Sequence, residues 1–165
     1  MVLDSGGYEV WLNPGVVDEE AEWAFMHGQC LALAVAGSRQ TGWSVAVLTE
    51  REEEDPDALA PGGFTYSDIL VHAYLVTPDE RLLDITGEAV PDLEARQQLT
   101  IHAADQVDVL LEQHRGYLER QDEAVAATFV PAVLAAGAAT PTTSQTVTSQ
   151  TVTSQTATQK DFQHR

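Results

Sequence analysis

Ile69-Leu70-Val71-His72-Ala73-Tyr74-Leu75-Val76-Thr77-Pro78-Asp79-Glu80-Arg81-Leu82-Leu83-Asp84-Ile85-Thr86-Gly87 is a pair of apolar runs on either side of a Pro-Asp step. The pattern predicts a strand over 69–77, a β-turn at Thr77-Pro78-Asp79-Glu80 with proline at a favoured position, and a strand from Arg81 to Ile85. Residues 69–85 then form a hairpin. A turn centred on Pro78 sets position 72 opposite position 84, provided no bulge shifts the register. His72 and Asp84 become cross-strand neighbours, and a carboxylate beside an imidazole fixes its tautomer.

Upstream, His27-Gly28-Gln29-Cys30 opens the small apolar run Leu31-Ala32-Leu33-Ala34-Val35-Ala36, and Cys30 is the only cysteine in the chain. A helix is expected from near Cys30 to about Arg39, ended by Thr41-Gly42. It is apolar on nearly all faces and so buried. Before it, Tyr8 to Leu12 reads as a short strand ended by the turn Asn13-Pro14-Gly15, and Asp18 caps a helix through Glu19 to Phe25 that Gly28 breaks. After it, Trp43 to Leu48 reads as a buried strand. Glu50 to Gly63 reads as a loop whose acids form a solvated face or a substrate-side lid. From Pro91 the chain turns helical. Val107, Leu110, Leu111, His114, Leu118 and Val125 recur at helical spacing, predicting a helix over roughly 104–127 with Gly116 as its weak point. The fold class is α+β, with the Cys-bearing helix packed on a small antiparallel sheet.

A cysteine, then a histidine, then an aspartate is the parts list of a thiol nucleophile, its base and the base's orienter. A thiol reacts as thiolate, and free N–H groups at a helix N-terminus favour that form. Cys30 is the candidate nucleophile, His72 the base and Asp84 the orienter. The Cys30 backbone N–H and Gln29 are candidate oxyanion donors. Substrate binding falls to Trp43 and the 50–67 loop. This chemistry needs no cofactor and no metal. Singly, Cys30 also reads as a small buried hydrophobe and His72 as structural. A zinc site from His27, Cys30, His72 and Asp84 is the competing chemistry, disfavoured because no paired-cysteine motif is present. His114 reads as half-buried and inert, and Trp11, Trp23 and Trp43 as core or groove edge.

Gly28-Gln29-Cys30-Leu31-Ala32-Leu33-Ala34, His72 followed by Pro78-Asp79-Glu80, and Leu83-Asp84-Ile85-Thr86-Gly87 together resemble the papain-like fold superfamily. The likeness is closest to its transglutaminase-like and cell-wall-endopeptidase branches, including small bacterial and phage domains. It covers about residues 25–90. Glu80 stands where glycine is usual. The resemblance implies a papain-like fold and acyl-group chemistry: attack on an amide or ester carbonyl, a thioester, then release to water or an amine. Peptidase, amidase, deamidase and transglutaminase share that first step, acting on a protein or peptide substrate.

Of the 26 acids only Asp161 lies beyond residue 139, and of the 8 basic residues only Lys160 and Arg165 do, so the whole of the net −18 charge is carried by residues 1–139. Such a charge repels nucleic acid and anionic membranes and favours a basic partner surface. It also fits a second reading, a non-catalytic acidic binding or inhibitor module such as a degenerate relative or a DNA mimic. Residues 140–165, where Thr-Val-Thr-Ser-Gln repeats, carry few apolar groups and read as a disordered tail, with a β-stacking or attachment role the lesser alternative. A lone cysteine forms no internal disulfide, no apolar run reaches spanning length, and Met1 to Gly7 lacks a signal-peptide pattern, so a cytoplasmic setting is expected. Oligomeric state is not legible.

Overall fold

Every residue from Cys30 to Ser38 is buried, and the helix they form is the centre of the molecule. The computed structural model describes residues 1–5, 7–52, 67–114 and 122–139. Two helices open the main body: α1 (Glu19–Met26) and α2 (Cys30–Thr41). Asp18 caps α1 by accepting from the Ala21 N–H at 3.0 Å, and Gly42, at φ 74°, closes α2 with its N–H on the Ser38 carbonyl. Both ends fall where the sequence placed them, because caps are local chemistry.

A five-stranded antiparallel sheet lies against α2. Its strands are β3 (Ser44–Glu52), β4 (Ser67–Val76), β5 (Leu82–Asp84), β6 (Gly87–Ala89) and β7 (Leu99–His102), in the order β6-β5-β4-β3-β7. A separate hairpin pairs β1 (Val2–Ser5) with β2 (Tyr8–Trp11). Among the described residues four more helices follow: α3 (Leu93–Gln98), α4 (Val107–Gln113, preceded by a 3-10 turn at Ala104–Gln106), α5 (Glu123–Ala127) and α6 (Val130–Ala139). The class is α+β, as expected.

Strands alternate their side chains, and both faces of this sheet are apolar. Val45, Val47 and Ala73 meet Cys30, Leu31, Ala34 and Val35 of α2, with Val107 and Leu110 of α4 closing that cluster. Ala46, Tyr74 and Val76 cluster separately. A third cluster joins Leu3 and Leu12 of the N-terminal hairpin, Phe25, Phe129 and Val133 to the far side of α2. Two glycines set the layer spacing. Leu75 and Leu83 are cross-strand partners. A Cβ on Gly37 of α2 would meet Leu75 Cδ2 at 2.9 Å, and one on Gly137 of α6 would meet Leu83 Cδ2 at 2.7 Å. Each helix therefore approaches the sheet through a residue with no side chain.

Several expectations differ from what is seen. β1, β6 and β7 were not foreseen; each has only three or four residues, and their pairing comes from tertiary context. Residues 50–52 continue β3 instead of opening a loop. The single helix over 104–127 is broken: α4 ends at Gln113, and α5 begins at Glu123 under its own cap, Asp122. Residues 53–66, Gly116 and the 140–165 tail lie outside the described residues. Helix α6 was also unforeseen. Pro131 sits in its first turn, where a missing N–H costs nothing. Among the described residues no helix is long and apolar enough to cross a membrane.

Candidate functional site

The β4–β5 hairpin closes differently from the symmetric turn expected. The Glu80 N–H donates to the Thr77 carbonyl and the Thr77 N–H to the Arg81 carbonyl, both at 2.9 Å. Glu80 takes a left-handed conformation, φ 64°. This is a three-residue loop, a type I turn followed by a left-handed residue. It moves the centre of the hairpin one position along, so the ladder runs Leu75↔Leu83 and Val76↔Leu82. Continued, that register sets Asp84 level with Tyr74, two residues from His72. A slip of two keeps the same face, so the two remain diagonal neighbours.

A second irregularity acts on β4. Leu48 pairs with His72 but Thr49 pairs with Leu70, so β4 carries an extra residue at this point. Such a bulge re-aims the side chains beside it. It also turns Leu70 toward the α2 cluster, where unbroken alternation would set it on the His72 face. His72 Nε2 lies 3.4 Å from Asp84 Oδ2. That is ion-pair distance, longer than a charge-assisted hydrogen bond, and Nε2 is left without an aligned acceptor. Asp84 is itself tied down: its Oδ1 accepts from the Thr86 N–H at 2.8 Å and from the Thr86 hydroxyl at 2.6 Å. One carboxylate oxygen is thus held by Thr86, and the other faces the imidazole.

Cys30, the first residue of α2, is the other group acting on His72. Burial alone lowers the His72 pKa. The hydrogen-bonding and charge interactions of Asp84 and Cys30 more than reverse this and raise it from 6.5 to about 9. Burial tends to raise the Asp84 pKa, but His72 and Thr86 hold it below the usual carboxylate range. The ring of Tyr74 meets the His72 ring edge-on, centroids 4.6 Å apart. Burial, then the charges of Asp84 and Cys30, raises the Tyr74 pKa. The structure thus gathers Cys30, His72, Tyr74 and Asp84 where β5 ends. Cys30 is 7 % exposed, and His72 and Asp84 6 % each. The site is narrow.

Other sequence candidates lie elsewhere. Gln29 is fully buried. Its Nε2 donates to the Asp4 carbonyl, and its Oε1 accepts from the Asp122 N–H at 2.9 Å. The amide is a strut that joins β1 and the start of α5 to the residue before Cys30, not a donor facing a ligand. Trp43 lies past the C-terminal end of the 12-residue α2, about 18 Å along the helix axis from Cys30. Its carbonyl accepts from Ser38 Oγ at 2.6 Å, and its side chain packs on the α1–α2 cluster. It does not line this site. His27 stacks on Trp23, rings 5.1 Å apart, with Nδ1 2.8 Å from the Trp23 carbonyl. Among the described residues no group of three or more His, Cys, Asp and Glu is arranged to hold a metal ion.

Thr86 and Tyr74 had been given no role from the sequence. The signal for Thr86 was present, since an aspartate two residues before a threonine favours a local Asx-type bond. Tyr74 was legible only as a neighbour of His72 on the same face.

No protein-family model, no curated protein and no solved structure matches the chain.

Proposed function

We propose that the protein is a thiol-dependent hydrolase or acyltransferase of papain-like, transglutaminase-like construction. Cys30 is its nucleophile, His72 its base and then acid, and Asp84 the orienter. The observation that carries this reading is that one imidazole interacts with Asp84 at Nε2 and with Cys30, at the first turn of a buried helix. With Nε2 turned to the carboxylate, Nδ1 is the nitrogen left to exchange a proton with the thiol. The thiolate adds to an amide or ester carbonyl. The imidazolium gives its proton to the leaving amine, and a thioester remains. Water or an acceptor amine, deprotonated by His72, then releases the acyl group. The long Nε2–Oδ2 separation fits a resting site that tightens on substrate. The acidic surface favours a protein or peptide substrate with a basic face.

Burial of Cys30 favours the second reading, a non-catalytic acidic module with a degenerate site. Iodoacetamide separates the two. At a pH of about 6, well below an ordinary thiol pKa of about 8.5, Cys30 alkylates in the wild type, and His72→Ala slows it by at least about tenfold. Equally slow alkylation of both proteins would support the module and sink the enzyme.

A further inference from the structure

The first 26 residues carry six acids and no lysine, arginine or histidine. Two of those acids face each other across the N-terminal hairpin, whose register is Val2↔Trp11, Leu3↔Val10, Asp4↔Glu9 and Ser5↔Tyr8. Side chains alternate along a strand. Leu3 and Ser5 point inward and are buried, so Val2, Asp4, Glu9 and Trp11 share the outer face, and all four are exposed. Trp11 is not core: it is 73 % exposed. Like charges directly opposite one another destabilise a ladder. Among the described residues no cationic side chain pairs with Asp4 or Glu9 to relieve this.

Met1 and Leu12 exchange both of their backbone hydrogen bonds, each at 2.8 Å. Hydrogen-bonded and non-hydrogen-bonded pairs alternate along an antiparallel ladder, so Val2–Trp11 and Asp4–Glu9 are of the second kind. Their backbone groups point away from the ladder. On the β1 side, Gln29 Nε2 donates to the Asp4 carbonyl. On the β2 side, Glu9 and Trp11 turn their N–H and C=O groups outward, and among the described residues the sheet has no third strand. The charge of Glu9 and the four-residue length of β2 limit chance pairing at this edge, while an exposed tryptophan beside it favours a specific partner.

We infer that the outer face and free edge of β2 dock an extended basic segment of a partner protein, added antiparallel as a third strand. In that register, partner residues at alternate positions stand beside Trp11 and Glu9 on the outer face. An arginine at the first lays its guanidinium over the Trp11 ring, and one at the second is held by the carboxylates of Glu9 and Asp4. The same two residues turn their N–H and C=O groups to the backbone of Trp11 and Glu9, and the residue between them turns its own to solvent. Charge, ring and backbone thus select one chemistry. The inference does not rest on the thiol reading.

The probe is a capped, fluorescent five-residue peptide of alternating arginine and valine, bound to the full chain at about 0.15 M salt, where long-range attraction to the acidic body is screened. Trp11→Ala should weaken binding by about tenfold or more, and Glu9→Gln by about threefold, at unchanged melting temperature. Asp105→Asn removes an exposed charge on the other side of α2 and should change nothing, and Cys30→Ala should bind as the wild type does. Methylating the arginine backbone nitrogens should cost the peptide about tenfold or more, and methylating the valine nitrogens should cost little. Equal losses from the two methylated peptides overturn the strand pairing. Equal affinities of wild type, Trp11→Ala and Asp105→Asn overturn the site and reduce the binding to nonspecific attraction. Loss of binding in Cys30→Ala places the peptide at the thiol instead. Self-association of the chain without peptide, abolished by Trp11→Ala, replaces the basic partner with a second copy.

Discussion

Asp84 has two carboxylate oxygens and two occupations, Thr86 on Oδ1 and His72 on Oδ2. Asn at position 84 keeps an oxygen for Thr86 and removes the charge beside His72. The consequence appears in the pH dependence of stability. A histidine whose folded pKa lies above its unfolded value stabilises the fold fully below the unfolded value, and that stabilisation is lost as pH rises through the folded one. For His72 the window runs from 6.5 to about 9. Wild-type stability in urea should therefore fall across it, and Asp84→Asn should flatten the fall while lowering the iodoacetamide reactivity of Cys30 more than it lowers stability. Parallel curves for the two proteins would refute the coupling. A melting-temperature collapse with unchanged specific activity of the folded fraction would refute the orienting role.

The hairpin is the element that brings His72 and Asp84 together, and its loop is strained at one position. Glu80 sits at φ 64°, where a side chain costs roughly 1–2 kcal/mol, partly offset by the roughly 0.5–1 kcal/mol of extra chain entropy that glycine loses on folding. Thr77 and Arg81 hold the loop regardless. The Arg81 N–H donates to Thr77 Oγ1 at 2.9 Å, and the Arg81 guanidinium donates to Asp79 at 2.8 Å and to the Gly137 carbonyl at 2.7 Å. Glu80→Gly should stabilise the protein by about 0.5–1 kcal/mol net without changing the Cys30 alkylation rate. Destabilisation on chemical denaturation would mean that the Glu80 side chain contributes something the backbone geometry hides. The same loop explains how the sequence reading could misjudge the register and still pair the right residues: a loop recentred by one position slides the partner by two, and two is the side-chain period of a strand.

At the scale of the molecule, the net charge of −18 on 165 residues is a repulsion that the fold must overcome. Salt at about 0.1 M screens exposed charges beyond about 10 Å. Raising sodium chloride from about 10 to 300 mM should therefore raise the melting temperature, and a flat or falling curve would mean that the acids are spaced too widely to matter. What could be read from the chain was what neighbours in sequence decide. Asp18 caps α1, Gly42 stops α2, the Cys30 run is too apolar to lie anywhere but inside, and Pro78-Asp79 turns a hairpin. These follow from caps, turn residues and periodicity, which act within a few residues. The choice of Cys30, His72 and Asp84 came from the same short patterns.

The packing alone decided the rest. Gln29, beside Cys30 in the chain, spends its amide on Asp4 and Asp122, which are remote in sequence. Trp43, thirteen residues on from Cys30, ends at the opposite end of a straight helix. Tyr74 gains its interest from the His72 ring it meets edge-on, and Thr86 from the carboxylate it holds. β7 exists as a strand only because β3 offers it an edge. Each of these depends on which distant atoms arrive within a few ångströms, and no local pattern of residue types encodes that.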